Sequence, residues 1–371
     1  MDNLKVDEWC ALEEVSPFIP EWEAMVGKER LTPAHTYEWL KVLWEIYRSS
    51  VDSLMLLTVR SDGRLVGIAP FVKKTERRKG LKIPLLRPLN IFSLHGTQFI
   101  LDGNQPLVME AIFRHIACRH RDWGLWFMTY QEGEEQALVF ETILNQYKYP
   151  FSKRATERSP YLLMRGTWED KMKTLQPRFR TALRSRQKRL EEQGKLELRF
   201  FNSTEDWRAG LEAIAQIEEE SWKASAMTAI TRDFRQWAFY EKYAPLAAAN
   251  QTLRIPVLYV AGEPVAYDYA LFKDGVYYLL KTSYKKKWED AYPGFVLRKL
   301  LMERLYAEKA VEMDFLGKDE QWKMKWTDSV RRHVEYTVFN RTLRSRYLLA
   351  FNRVAALANR RSAVNMDHDP A

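Results

Sequence analysis

The chain has 371 residues, 46% hydrophobic and 29% charged, a balance that excludes a disordered polypeptide and leaves room for two domains of ordinary size. Its 58 Lys and Arg against 49 Asp and Glu give a formal charge of +9, which favours a polyanionic partner: nucleic acid, anionic lipid or a phosphorylated small molecule. No apolar run reaches the roughly 18 residues that span a bilayer, the acidic start MDNLKVDEWC is unlike a signal peptide, and Cys10 and Cys118 are too few for a disulfide framework or a zinc cluster, so a cytoplasmic location is expected.

From Thr36 to Arg48, Trp39, Val42 or Leu43, and Ile46 recur at helical spacing and predict a helix. SLMLLTVRSDGRLVGIAPFVKK follows, two apolar runs around Asp62-Gly63, a pair suited to a hairpin turn. After the basic patch Arg77, Arg78 and Lys79, short strands are expected through Phe92 and Ile100, then a helix from about Pro106 to Arg119 and the strand WGLWFMTY. Pro150, Pro160 and a cluster of charges suggest a join near KYPFSKRATERSPYL.

Beyond the join, a helix from Leu175 to Gln193 carries the stripe Leu175, Phe179, Leu183 and Leu190, with Pro177 in its first turn and Gly194 as its stop. Its other faces hold Arg178, Arg180, Arg184, Arg186, Lys188 and Arg189. Between Lys171 and Phe200 ten Lys/Arg stand against three Glu, which reads either as a solvated face or as a phosphate-binding surface. A helix from about Ser203 to Lys223 presents Trp207, Leu211 and Ile214 on one stripe, and the next position on that stripe is Glu218, a carboxylate on an apolar face. IPVLYVAGEPVAYDYALFKDGVYYLLKTSY predicts antiparallel strands turning at Gly262 and Asp274-Gly275, followed by a helix from Gly294 to about Glu308 and the strand VEMDFL. Each half thus repeats hairpin, further strand, helix, strand, the pattern of a duplicated α/β (α+β) unit with a mixed sheet. The six His residues form no sequence pattern suggesting a relay or metal site, and no metal is expected.

Several segments together resemble one family. EEESWKASAMTAI followed by Arg235 to Tyr243, TSYKKKWEDAYPGFVL, DFLGKDEQWKMKW, SPYLL with the Arg-rich RFRTALRSRQKRLEEQG, and the first-half GIAPF are similar, in order and spacing, to motifs of the CelD/BcsL-type acyltransferases. These are double-domain members of the GNAT superfamily, encoded among bacterial polysaccharide and envelope genes and related in fold to the FemAB/FemX aminoacyl transferases. The likeness runs from about Thr36 to Asn340. Lys285 stands where the family often has Asp, Tyr292 where it often has Ser, Ala224 and Ala226 in a stretch usually glycine-rich, and Lys318 at the glycine position beyond Asp314. The resemblance implies two tandem GNAT-like domains, each a mixed, mainly antiparallel sheet flanked by helices: residues 1–155 non-catalytic, 156–340 the acyltransferase domain, and 341–371 a basic amphipathic helix with a disordered tail.

GNAT transfer is direct: an amine or hydroxyl attacks the thioester of acetyl-CoA or another acyl-CoA with no covalent enzyme intermediate and no metal. The turn Tyr292, Gly294, Phe295 and Val296 opens a helix whose amides suit the pyrophosphate, with Arg184 as a further phosphate contact; an ordinary strand-to-helix turn is the alternative. VYYLLKTSY is the expected edge for the pantetheine arm. Glu218 and Asp268 are the candidate bases; each reads equally well as a structural carboxylate. Trp222, Lys223, Asp314, Trp322 and Lys323 are expected to grip a sugar or lipid-linked sugar precursor, or else to serve as core and solvated surface. The basic segment NRTLRSRYLLAFNRVAALANRR suits either peripheral contact with the inner membrane or a packed terminal helix. The leading expectation is an acyl-CoA-dependent N- or O-acyltransferase acting on an envelope or exopolysaccharide precursor. The alternatives are a FemX-like transferase that draws on aminoacyl-tRNA and a catalytically inactive GNAT scaffold.

Overall fold

The computed structural model describes residues 4–28, 31–90, 99–221 and 230–352. In the first half, strand β1 (Leu4–Trp9) leads through a 3-10 turn into helix α1 (Ile19–Lys28) and then α2 (Tyr37–Tyr47), which Thr36 caps by accepting from Trp39 N. Strands β2 (Ser53–Ser61), β3 (Arg64–Arg78), β4 (Leu81–Pro88) and β5 (Ile100–Leu101) precede α3 (Gln105–Arg119), β6 (Leu125–Gln131) and α4 (Glu135–Gln146). In the second half come β7 (Phe151–Leu163), α5 (Trp168–Thr174), α6 (Pro177–Glu191), β8 (Leu196–Phe201), α7 (Trp207–Glu219) and α8 (Phe234–Ala249). Strands β9 (Leu253–Val260), β10 (Glu263–Lys273) and β11 (Val276–Tyr284), helix α9 (Pro293–Ala307), β12 (Glu312–Asp314) and β13 (Val330–Phe339) complete the order.

All strands join one sheet, ordered β1-β2-β3-β4-β6-β13-β7-β12-β11-β10-β9-β8, with β5 on β3. Neighbours pair antiparallel except β4 with β6 and β11 with β12. Those two parallel pairs are the duplicated motif, each crossing over through a helix, α3 in one half and α9 in the other. Both hairpins anticipated from Asp-Gly pairs form, because Asp62 and Gly63 (φ 49° and 82°) and Asp274 and Gly275 (φ 52° and 78°) take the left-handed conformation that a two-residue hairpin turn needs. Where prolines suggest an interruption, the structure has the continuous strand β7; Pro160 is accommodated because its carbonyl still accepts from Phe315 N. The expected division at 155/156 falls inside this strand. In addition β13, late in the sequence, lies between β6 and β7 and so enters the first half's part of the sheet.

On β10 side chains alternate between two cores. Tyr267, Tyr269 and Leu271 enter the layer formed with α7 and α8, which also takes in α1 and α2 of the first half. Ala266 and Ala270 enter the layer beneath α6 and α9. The two faces of the second half are therefore chemically separate, and any site using both must pass through the sheet.

The basic segment after β13 begins a helix over residues 343–352. It packs through Leu348 on Phe339, Phe127 and Leu125, and Ser345 Oγ donates to Gly124 O at 2.8 Å, while Leu343 and Tyr347 stay exposed. Among the described residues no helix is long and apolar enough to cross a membrane.

Candidate active site

Helix α9 starts where the sequence places it, with Pro293 at its first position, where a missing N–H costs nothing. Tyr292 precedes it in the left-handed conformation (φ 50°) and offers no side-chain cap, so the first-turn amides receive no side-chain acceptor from the N-cap. Arg186 of α6 lies across this end. Its guanidinium is 4.0 Å from the Tyr292 ring and 4.8 Å from that of Phe295, and its buried Nη1 has no hydrogen-bond partner. Arg189 Nη1 donates to Asp290 O at 2.9 Å, and Arg184 stays exposed on α6. Phe295 packs edge-on to Phe179, which meets Trp326 at 5.1 Å, and Val296 is fully buried. Of the four residues expected to hold a pyrophosphate here, Tyr292 and Gly294 are accessible at the helix end, Phe295 belongs partly to an aromatic cluster, and the Val296 side chain belongs to the core.

Next to this helix end the sheet opens. β11 and β12 pair only over Val276–Tyr278 and Glu312–Asp314; β11 then continues to Tyr284, while β12 stops. A bulge at Leu280 shifts its register on β10 at the same point. The edge of β11 that β12 leaves at Tyr278 runs on to Tyr284, and just past its end Ser221 forms an isolated antiparallel bridge with Lys285. That edge runs from the point of parting to the turn before α9.

The two candidate bases face opposite ways. Glu218 is fully buried on the α7 side: Oε1 accepts from Tyr267 Oη at 2.6 Å and Oε2 from Ile230 N at 3.1 Å. Burial and the Glu218 charge push the Tyr267 phenol well up, so it stays protonated and donates. Ser221 Oγ donates to Glu218 O at 2.9 Å, and Ser283, paired with Tyr267 across the hairpin, lies on the same face with its Oγ buried. Asp268 lies on the α9 side, equally buried, and both its oxygens are gripped by Arg298, one of them (Oδ1) at 2.8 Å from Nη2; Tyr277 Oη adds a bond to Oδ2 at 3.1 Å. A carboxylate held by a bidentate guanidinium and a phenol is poorly placed to accept a proton. Glu218 and Asp268 are thus not alternatives within one pocket.

The acceptor-binding expectations divide as well. Asp314 ends β12 opposite Tyr278, on the Glu218 side of the sheet where the strands part. Burial raises its carboxyl to about 6, against the pull of Arg331 at 3.1 Å. Lys323 is buried and donates to Leu316 O at 2.7 Å and Lys318 O at 3.0 Å, so it braces the turn after β12 and is not open to a ligand. Trp322 donates to Glu320 at 3.1 Å and packs against Phe315. Trp222 and Lys223 lie outside the described residues. Lys285, where the resembled family often has Asp, is buried between Glu220 at 2.7 Å and Glu263 at 2.9 Å. Burial works against its charge, and those two hydrogen bonds outweigh it and raise its pKa.

Sequence reasoning missed Tyr267 and Ser283 as site residues, whereas Arg186 belongs to the basic helix that it offered as a possible phosphate-binding surface. Tyr267 and Ser283 were within reach through their register with Asp268 and the Asp274-Gly275 turn. It also missed a cluster in the first half, where His115 Nε2 and His120 Nε2 converge on Glu8 Oε2 at 3.2 and 2.6 Å. Lys73 Nζ lies 3.0 Å from His120 Nδ1 and 3.7 Å from Glu8 Oε1, so a side-chain cation already faces that carboxylate.

Residues 177–324, which contain α6, α7, the β9–β11 strands, α9 and β12, match the family of GNAT acetyltransferase domains. Over the whole chain the fold is similar to a crystal structure of FemX, with a TM-score of 0.61 at 10% identity, covering 90% of this chain and 98% of that one. It is also similar to a protein of unknown function from Bacteroides thetaiotaomicron (TM-score 0.56, 12% identity, 91% and 100% covered) and to L-PGS from Bacillus licheniformis (0.53, 14%, 89% and 95%). No curated protein matches it in sequence. The fold is GNAT-like, its second half contains the stretch similar to GNAT acetyltransferase domains, and the identities to these structures are low enough that the likeness is one of fold.

Proposed function

We propose that this protein is an acyl-CoA-dependent N- or O-acyltransferase working by direct transfer, with the second half, residues 156–340, as its catalytic unit and the first half as non-catalytic. The observation that carries this reading is the parting of β11 and β12 after Tyr278, from which β11 runs on to the Arg186-flanked start of α9. The pyrophosphate of the donor lies on the first-turn amides of α9, where the helix dipole favours anions and Arg186 adds a cation. The pantetheine arm joins β11 as an added strand, its amides bonding the main chain between Leu279 and Tyr284. The thioester passes the parting of the strands to the Glu218 side. There Glu218, already holding Tyr267 Oη and Ile230 N, has lone pairs left to take the proton from an acceptor nitrogen or oxygen.

For the acceptor, the resemblance to envelope and exopolysaccharide acyltransferases supports a sugar or lipid-linked sugar precursor; the exposed Leu343 and Tyr347 among basic residues would suit contact with an anionic membrane. A thermal shift with acetyl-CoA and longer acyl-CoAs tests the donor. A ligand about 100-fold above its Kd stabilises by about 2.7 kcal/mol, and no shift with any acyl-CoA would remove the proposal in favour of an inactive scaffold or the reading that follows. That second reading, an aminoacyl-tRNA donor, is favoured by the basic face of α6, where Arg178, Arg184, Lys188 and Arg189 are exposed. Salt-sensitive tRNA retardation in a gel would support it, and indifference to tRNA would exclude it.

A further inference from the structure

We infer that the first half of the sheet carries a docking surface for an anionic lipid bilayer, formed jointly by the helix over residues 343–352 and the tip of the β3–β4 hairpin; this goes beyond the acyl transfer proposed above and stands whatever the donor. The helix is held through one side only. Ser345 and Leu348 are buried there, and Leu349 packs on the same apolar cluster. With about 100° of turn per residue, Leu343 and Tyr347 fall on the opposite side, and they are 84% and 50% exposed. Arg344 and Phe351 project from one flank, and both reach the hairpin tip. Arg344 Nη1 donates to Lys82 O at 3.2 Å, and Lys79 Nζ lies 4.3 Å from the centre of the Phe351 ring. Contacts at both ends of the helix thus hold it alongside the tip, and the exposed Lys79 and Lys82 share one surface with Leu343 and Tyr347.

The charge on this surface has one sign. Residues 77–82 and 341–352 together contain seven Lys or Arg and no Asp or Glu. Arg78 is paired with Glu76, but among the described residues no carboxylate pairs with Lys79, Lys82, Arg344 or Arg346. A nucleic acid would satisfy those cations and leave Leu343 and Tyr347 in water. A bilayer containing anionic lipid satisfies both: the cations meet the headgroups, and the two apolar side chains enter the boundary between headgroups and acyl chains. Tyr suits that boundary because its ring is apolar and its hydroxyl stays wet. The surface also gives the first half a task that a purely non-catalytic role leaves open, since it would hold the chain against the layer in which a lipid-linked acceptor resides.

The experiment uses the full chain and vesicles of phosphatidylcholine, alone or with about 30% phosphatidylglycerol. Co-sedimentation should recover the protein with the anionic vesicles and not with the neutral ones, and should weaken as salt rises. Lys79→Gln with Lys82→Gln should weaken binding by about 25-fold, about fivefold for each cation lost near the bilayer. Leu343→Ser with Tyr347→Ser should weaken it by about tenfold or more. All four positions are exposed, so both pairs should melt within about 2 °C of the parent. No binding to anionic vesicles, or binding that either pair leaves unchanged, overturns the inference. A label reports which side chains meet lipid. In a background of Cys10→Ser and Cys118→Ser, both exposed, a nitrobenzoxadiazole group on Leu343→Cys should brighten and shift to the blue with anionic vesicles. The same group on Val311→Cys, exposed in the second half, should not. An equal response at both positions overturns the inference. So does a silent label at 343 with tRNA retardation that Lys79→Gln and Lys82→Gln abolish, which would assign the surface to nucleic acid.

Discussion

Replacing Asp268 by asparagine separates the chemical role the sequence allows from the structural role the packing implies. Asp268 and Arg298 are 0% and 1% exposed, and the guanidinium grips both carboxylate oxygens. Asparagine keeps the volume but leaves the guanidinium charge buried without its counter-ion, and breaking such a pair costs about 3–5 kcal/mol. At roughly 2.1 cal/mol/K of unfolding entropy per residue, a chain of this length melting as one unit carries about 0.8 kcal/mol/K, so the midpoint should fall by about 4–6 °C. Calorimetry on Asp268→Asn checks this, alongside the double variant Asp268→Leu with Arg298→Met. The double variant removes both charges and should recover most of the loss, because no orphan charge remains. A single variant that melts within about 1 °C of the parent while losing turnover would refute the argument and return Asp268 to the list of bases.

Glu218→Gln should lower turnover by about 10²-fold or more while leaving acetyl-CoA affinity within about twofold, since the amide can still accept from Tyr267; kcat and the acetyl-CoA Kd measured together decide it. Arg186→Gln should weaken acetyl-CoA by about tenfold, the value of one charge-assisted contact, and isothermal titration should show a much smaller effect for the exposed Arg184→Gln. Asp314 bears on pH. Its folded pKa of about 6 lies above the unfolded value near 3.9, so the native state binds the extra proton between the two, and stability from this group falls as pH rises through that window. The difference in unfolding free energy between the parent and Asp314→Asn should therefore change by up to about 3 kcal/mol between pH 4 and pH 7 in urea titrations; an identical difference at both would show that Asp314 does not titrate there.

The parts of this molecule that the sequence made legible are those decided within a few residues. Asp-Gly pairs dictate positive φ and hence the β2–β3 and β10–β11 hairpins; Pro293 fixes the start of α9; the stripe through Leu211 and Ile214 correctly buries Glu218. Alternation on β10 left Asp268 open to an enclosed or an exposed reading, and the packing encloses it. What alternation cannot announce is what encloses it: Arg298 lies 30 positions further on, within the crossover helix α9, and only the packing of that helix on the sheet brings it to Asp268. The same limit hid Glu8 from His115 and His120, more than a hundred positions away. β13 escaped notice because VRRHVEYTVF reads as a half-exposed strand with no stated neighbour, and its place between β6 and β7 is a property of the whole sheet.

That placement bears on the site itself. The opening beside β11 requires β12 to end early, and β12 is held from its other side: Met313 and Asp314 pair with Leu162 and Tyr161 of β7. From β13, Arg331 binds Glu312 at 2.8 Å and Asp314 at 3.1 Å while stacking 3.9 Å from the Tyr161 ring. On the near side β11 is committed to β10 along its length. The chain then leaves β12 through Leu316 and Gly317, both at positive φ, in a turn braced by the Lys323 bonds to Leu316 O and Lys318 O. Each bank of the opening is thus fastened to a different partner, β10 on one side and the β7–β13 pair on the other. Holding the two strands from opposite sides keeps β12 from closing onto β11 beyond Tyr278. Because β7 and β13 are also paired with each other and β13 with β6 of the first half, the far bank of the opening is continuous with the first half of the sheet.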